Sequence, residues 1–217
     1  MSSVRNANQI NGALFSKRSL DSSELAVRAA IGHRFDRPGK FDVFVERDGR
    51  LVHREAVEVA DDGRIPQRDV DLARLADARS CDCEHDGAPR DRLVTNGFMV
   101  FSVSHGFGRY HVRIERWDAS SRETVLDQRQ SLPAGDLFIA VLVEAGSYAV
   151  LVDKATVATI RVREPNPKRP HRTDVPLFLE LPSKPKPQAH EIDAGCSVVI
   201  QLAHAARVRI EAIERSD

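Results

Sequence analysis

The sequence is poor in several residue types, and each shortage counts against a class of protein. Three cysteines are too few for the disulfide framework of a small secreted domain. One Trp and two Tyr leave few rings for a sugar-stacking face. No apolar run approaches the ~20 residues that a membrane-spanning helix needs, and the polar residues 1–11 do not resemble a signal peptide. We therefore expect a cytoplasmic protein without membrane insertion.

An excess of one charge is also missing. The 32 basic residues balance the 32 acidic ones, which argues against a general nucleic-acid binder. Apolar residues (41%) and charged residues (29%) together fit a folded globular chain. Arginine greatly outnumbers lysine, as expected from the codon usage of a GC-rich bacterial genome. The alternative is that arginine serves bidentate contacts at interfaces.

Alternation of apolar and polar residues predicts β-strands along most of the chain. Residues 41–45 and 51–59 flank Asp48-Gly49, a pair typical of a hairpin turn in which both central residues have positive φ. The unbroken apolar run 137–143 predicts a strand covered on both faces. Further strands are predicted at 98–103, 110–114, 147–152, 156–162, 197–202 and 207–213. Many short strands with frequent turns favour a mainly β protein, specifically an antiparallel β-sandwich.

One or two short helices are expected in the N-terminal third. Asp21 could cap a helix with Glu24 three residues later, and Gly32 could end it. A second helix is predicted within residues 66–79, where Leu72, Leu75 and Ala76 share one helical face.

A proline-rich segment at residues 165–187 holds seven of the eleven prolines. Such a stretch favours extended backbone and cannot form a central strand. Its apolar centre, Leu177-Phe178-Leu179, is predicted to be an edge strand or a partner-binding anchor. The remaining residues, 188–217, offer only a C-terminal hairpin, which must dock on the preceding sheet or on a neighbouring subunit.

The run around Glu144, Gly146 and Tyr148 resembles the tyrosine corner of immunoglobulin-like sandwiches, over roughly residues 93–164. The resemblance implies architecture only, since such sandwiches carry many functions. Val150 stands where the family has its second cysteine, and Trp117 lies where a core Trp could stand. The expected organisation is an N-terminal region with a helix and a hairpin (1–92), the sandwich core (93–164), the proline-rich arm (165–187) and the C-terminal hairpin (188–217).

Cys81, Cys83 and His85 form the best candidate for a metal site. Two thiolates and an imidazole suit Zn²⁺, and His105 or His111 could supply the fourth ligand. The spacing differs from the usual zinc motifs, so the alternative is an acidic surface loop with two ordinary thiols. Beyond this possible zinc, no cofactor is expected.

Motifs of catalysis are lacking. Residues 104–108 (SHGFG) could be mistaken for an oxyanion loop, but the chain has no Gly-x-Ser-x-Gly motif, so a glycine-rich turn is expected there. Cys196 is expected to be a small buried residue. The leading hypothesis is a non-enzymatic structural or accessory subunit that contacts a protein partner or assembles with itself. The alternatives are a metal-binding protein or metal-dependent enzyme using Cys81, Cys83 and His85, and a carbohydrate- or small-ligand-binding module near Tyr110 and Trp117.

Overall fold

A computed structural model describes residues 19–77, 92–118, 121–164, 175–181 and 187–213. Within these ranges the chain forms fifteen β-strands and one short helix, which confirms a mainly β protein. The first strands and the helix are β1 (Ser19–Asp21), β2 (Ala29–Arg34), β3 (Gly39–Arg47), β4 (Arg50–Ala60), β5 (Ile65–Asp71) and α1 (Leu72–Asp77). The later strands are β6 (Leu93–Ser102), β7 (Tyr110–Asp118), β8 (Ser121–Asp127), β9 (Leu137–Val141), β10 (Gly146–Val152), β11 (Ala155–Arg163), β12 (Leu177–Leu181), β13 (Gln188–Asp193), β14 (Ser197–Leu202) and β15 (Val208–Ala212).

The strands form two sheets. The small sheet has the order β1-β15-β10-β11-β13, and the large sheet has the order β12-β14-β9-β2-β6-β4-β3-β7-β8, with β5 also paired to β6. Most neighbours are antiparallel, but β13 and β12 join the sheets as parallel strands, and β6 pairs in parallel with both β4 and β5. Alternate side chains of both sheets enter one hydrophobic cluster, as the two-residue period of a strand dictates.

The hairpin at Asp48-Gly49 is confirmed. Strands β3 and β4 pair in antiparallel register, with Phe41 opposite Val57. The φ angles of Asp48 and Gly49 are 52° and 80°, the left-handed values that a two-residue turn between twisted strands requires.

The prediction of a helix that begins at Asp21 is wrong. Oδ1 of Asp21 does accept a hydrogen bond of 2.9 Å from the backbone N–H of Ser23, but this closes a turn after β1. Backbone hydrogen bonds of 2.8 Å then join Leu25 to Tyr110 in both directions, and the chain enters β2 at Ala29. Pairing with distant strands therefore overrides the local helix signal.

The helix predicted within residues 66–79 is shorter in the structure than in the prediction. Residues 65–71 form strand β5, which pairs in parallel with β6, and the helix begins only at Leu72. Oδ1 of Asp71 accepts a hydrogen bond of 3.1 Å from the N–H of Ala73 and thereby starts the helix. Residues 78 and 79 lie outside the described part of the chain.

Two further expectations are corrected. Strands β14 and β15 do not form a C-terminal hairpin, because β14 pairs with β9 and β12 in the large sheet while β15 pairs with β1 and β10 in the small one. Strand β9 is not covered on both faces either. Phe138 and Ala140 are fully buried, whereas Leu137, Ile139 and Val141 are only half-buried on the opposite face.

Candidate functional site

The outward side of the large sheet carries an uncharged row of side chains that crosses four strands. The strand register places Phe178 beside Val199, Val199 beside Ile139, and Ile139 beside Ala30. Ser102 on β6 continues the row next to Ala30. We call this row and the one beside it the apolar face.

The second row of the apolar face lies two residues further along each strand. Gln201, Leu137, Gly32 and Val100 follow one another across β14, β9, β2 and β6. A Cβ atom on Gly32 would lie 3.4 Å from Cβ of Leu137, so this part of the face is low and closely packed. Glu180 on β12 bounds the row at the sheet edge.

The rest of the same sheet looks different, because its outward side is a ladder of ion pairs. Asp42 is buried beneath Arg54 at 2.7 Å and Arg122 at 3.6 Å. The ring of Phe44 lies between two guanidinium groups, those of Arg54 (5.3 Å) and Arg113 (4.3 Å). Charged and stacked side chains of this kind are typical of a strand face that meets water.

The outward side of the small sheet is also charged. Arg161 lies opposite Glu191 in the register of β11 and β13, and Arg163 lies opposite Asp193. An open cavity of about 640 Å³ lies beside these arginines and includes Ser147 in its lining. Arg163 donates to Asp193 at 2.8 Å and to Glu191 at 3.3 Å, so its charge is already neutralised by the protein.

The three predicted partner-binding residues form part of the edge strand β12. Leu179 is buried in the core and Leu177 is half-buried, whereas the Phe178 side chain is 51% exposed. Within the described residues, β12 is the last strand on its side of the large sheet. Of the trio, Phe178 therefore remains the residue best placed for contact with another molecule.

The proposed metal loop, Cys81, Cys83 and His85, lies outside the described residues. Within the described ranges, no group of three or more His, Cys, Asp or Glu side chains is arranged to hold a metal ion. The two candidate fourth ligands each contact an aspartate, since Nε2 of His105 lies 3.0 Å from Asp77 and Nε2 of His111 lies 3.1 Å from Asp127.

A chain of hydrogen bonds links Ser104, His105 and Asp77. The Ser104 hydroxyl lies 2.7 Å from Nδ1 of His105, whose Nε2 lies 3.0 Å from Oδ2 of Asp77. Both His105 and Asp77 are more than half exposed, and Arg47 shares the Asp77 carboxylate at 3.5 Å. The backbone N–H of Ser104 is directed at Asp71 (3.3 Å), so it does not serve as an oxyanion donor.

Sequence reasoning missed this series of hydrogen bonds, because Asp77 lies 28 residues before His105 and belongs to α1. Burial alone would raise the pKa of Asp71, but hydrogen bonds from Ser104 and from the first turn of α1 lower it overall. Asp71 is thereby kept ionised and holds the 104–108 turn against the helix. Together these contacts hold the glycine-rich turn at residues 104–108 against α1.

The environment of His111 is more enclosed. Burial lowers the pKa of His111, the nearby Arg129 guanidinium lowers it further, and Asp127 opposes both effects. The backbone N–H of Arg129 points at Nε2 of His111 at 3.1 Å. Nδ1 is buried and finds no hydrogen-bond partner among the described residues.

The two aromatic residues considered for ligand stacking are separated by their burial. The Tyr110 ring is buried in the core. Trp117 is 46% exposed, but the Arg122 guanidinium lies over its ring at 5.0 Å. They do not form a common stacking platform. Cys196, as expected, is buried; it lies one residue before β14.

Comparisons with known proteins give no relative for this chain: no family model matches it, and neither do any curated protein or solved structure. In the described part of the chain, no helix has the length and apolar character needed to cross a bilayer.

Proposed function

We propose that the protein is a non-enzymatic, cytoplasmic structural or accessory subunit that acts through protein–protein contacts at the apolar face. The observation that carries the proposal is the row of Phe178, Val199, Ile139 and Ala30, whose outermost side chain is 51% exposed. Contiguous apolar patches rimmed by polar residues typically mark interaction sites in soluble proteins.

The comparison within one molecule strengthens this argument. Two other stretches of outward sheet surface carry ion pairs, one around Asp42 and Glu115 on the large sheet and one around Glu191 on the small sheet. The same chain thus places charge where strands face water and omits it from the two rows of the apolar face on β14, β9 and β2. Covering a sheet face without charge lowers the free energy, because removing apolar area from water contributes about 25 cal/mol of stabilisation per Å².

The architecture that we propose for this subunit is a β-sandwich with an immunoglobulin-like corner. The Tyr148 hydroxyl donates a hydrogen bond of 2.9 Å to the carbonyl oxygen of Glu144, the contact that the resemblance implies. The parallel edge strands β12 and β13 are additions to that plan. They extend the sheets and, in the case of β12, carry Phe178 to the end of the apolar face.

The proposal is tested by the mass of the complex that the tagged full-length chain forms in its native cell. We expect a particle heavier than the 24.1 kDa chain, lost on Phe178→Glu. The matched control is Leu51→Glu, because Leu51 is similarly exposed (59%) but lies on the charged half of the large sheet. A single chain in the native cell, or equal loss in both variants, would show that the apolar face is not the contact surface.

A further inference from the structure

We infer that the apolar face docks on the apolar face of a second copy of this chain, giving a two-fold symmetric dimer. The inference rests on the proposed function and commits it to one partner. Three features of the face support self-docking: the distribution of charge, the difference in side-chain size between the two ends of the row, and the area.

Charge favours a second copy because a two-fold interface brings each surface against itself. The other half of the large sheet carries ion pairs around Asp42 and Glu115, whose charges would lose their contact with water in such an interface. The rows of the apolar face hold no charged residue between Glu180 on β12 and the far side of β2. The face can therefore meet its own copy without electrostatic repulsion at its centre.

The two ends of the row differ in side-chain size. The largest side chain, Phe178, lies at the β12 end, whereas the smallest, Ala30 and Ser102, lie at the other end. A two-fold axis parallel to the strands reverses the row in the second copy. Each Phe178 then lies over the small residues of the opposite copy, as expected for two sheets packed about 10 Å apart.

The rim of the face is complementary under the same rotation. Glu180 lies level with Gly32 across the sheet, and Arg34 follows Gly32 by two residues on β2. The rotation brings Glu180 of one copy over Gly32 of the other, roughly 7 Å along the strand from Arg34. Both charged side chains are exposed, so they can pair at the edge of the interface.

The area is adequate for the centre of a stable interface. The four strands that overlap, at about 4.8 Å spacing and over about five residues each, give a flat area of about 320 Å² per copy. A standard interface buries about 800 Å² per partner, with an apolar centre and a polar rim. The apolar face supplies such a centre, and the surrounding side chains, including Glu180 and Arg34, supply the rim.

The purified full-length chain tests the inference by light scattering and sedimentation over a range of concentrations. We expect a mass of 48.2 kDa, twice the 24.1 kDa of one chain. Phe178→Glu should raise the dimer dissociation constant at least tenfold, while Leu51→Glu should leave it unchanged. Circular dichroism and the thermal midpoint show whether each variant is folded. A wild-type chain of 24.1 kDa up to about 100 µM would overturn the inference.

A mixing experiment tests the predicted contact directly. Ala30→Lys alone should weaken the dimer, because it places a charge beneath Phe178 of the other copy. Mixing the Ala30→Lys chain with the Phe178→Glu chain should restore a heterodimer, since one contact becomes an ion pair and the other stays native. No recovery on mixing would contradict this geometry. A monomeric purified chain whose native complex still depends on Phe178 would refute the dimer alone, whereas no complex in either setting would refute the proposed function as well.

Discussion

Nδ1 of His33 lies 2.9 Å from Oδ2 of Asp136, and both side chains are buried between the sheets. The second oxygen of Asp136 accepts a hydrogen bond of 3.0 Å from the backbone N–H of Arg34. The pair therefore fastens β2 to the turn before β9, two neighbouring strands that form the middle of the apolar face.

Asp136→Ala should destabilise the protein by about 3 kcal/mol, because it leaves a buried imidazole and a backbone N–H without their acceptor. Chemical denaturation measures the loss. The control is Asp62→Ala, which removes an exposed carboxylate paired with Arg92 and should cost less than about 0.5 kcal/mol. Equal losses in the two variants would contradict the role given to Asp136.

The sequence predicted those elements whose signal is local. Asp48-Gly49 identified its hairpin because the turn itself demands positive φ at both residues. The helix predicted at Asp21 is wrong because the same carboxylate can either close a turn or cap a helix. The backbone pairing of Leu25 with Tyr110 favours the turn. Strand β8 was missed because its first four residues are exposed and show no alternation.

The residues of a strand do not reveal which of the two sheets the strand belongs to. Strands β14 and β15 have the pattern of a hairpin, yet they lie in different sheets. The apolar face was hidden for the same reason, because Phe178, Val199, Ile139 and Ala30 are distant in sequence and only the strand order aligns them. Phe178 alone could be singled out, as part of an apolar triplet among prolines.

Tyr148→Phe should destabilise the protein by about 1 kcal/mol, because it removes only the hydrogen bond to the Glu144 carbonyl and keeps the packing of the ring. Tyr148→Ala should cost more, since the ring itself is lost from the core. Urea denaturation measures both. A Phe variant as stable as the wild type would show that the corner contact does not stabilise the fold.

His111→Gln should reduce the fall in stability between pH 7 and pH 5. Burial and Arg129 lower the pKa of folded His111, so below pH 6.5, its ordinary value, the unfolded chain binds a proton that the folded chain resists. This contribution to stability is complete above that pH and is lost as the pH falls towards the folded pKa.

The measurement for His111 is the free energy of unfolding at several pH values in this window. His190→Gln provides the control, because His190 contacts Gln188 on β13, far along the chain from the Asp127 and Arg129 cluster. We expect the control to keep the wild-type pH slope. An unchanged slope in His111→Gln would exclude His111 as the source.

Zinc analysis tests the remaining hypothesis from the sequence. If Cys81, Cys83 and His85 bind Zn²⁺, the purified protein should contain about one equivalent, and Cys83→Ala should remove it. His105→Ala then asks whether that residue is the fourth ligand, with the thermal midpoint as a second readout. Metal-free wild-type protein of normal stability would reject the site.

Strand β1 pairs with β15, which lies almost at the other end of the sequence: Leu20 is opposite Ile210, 190 residues later. A nascent chain leaving the ribosome therefore cannot complete the small sheet until residues 208–212 have been synthesised. Such long-range closure slows folding and prolongs exposure of unpaired strands. Until then, the edges of β1 and β10 that pair with β15 stay open to pairing with other strands.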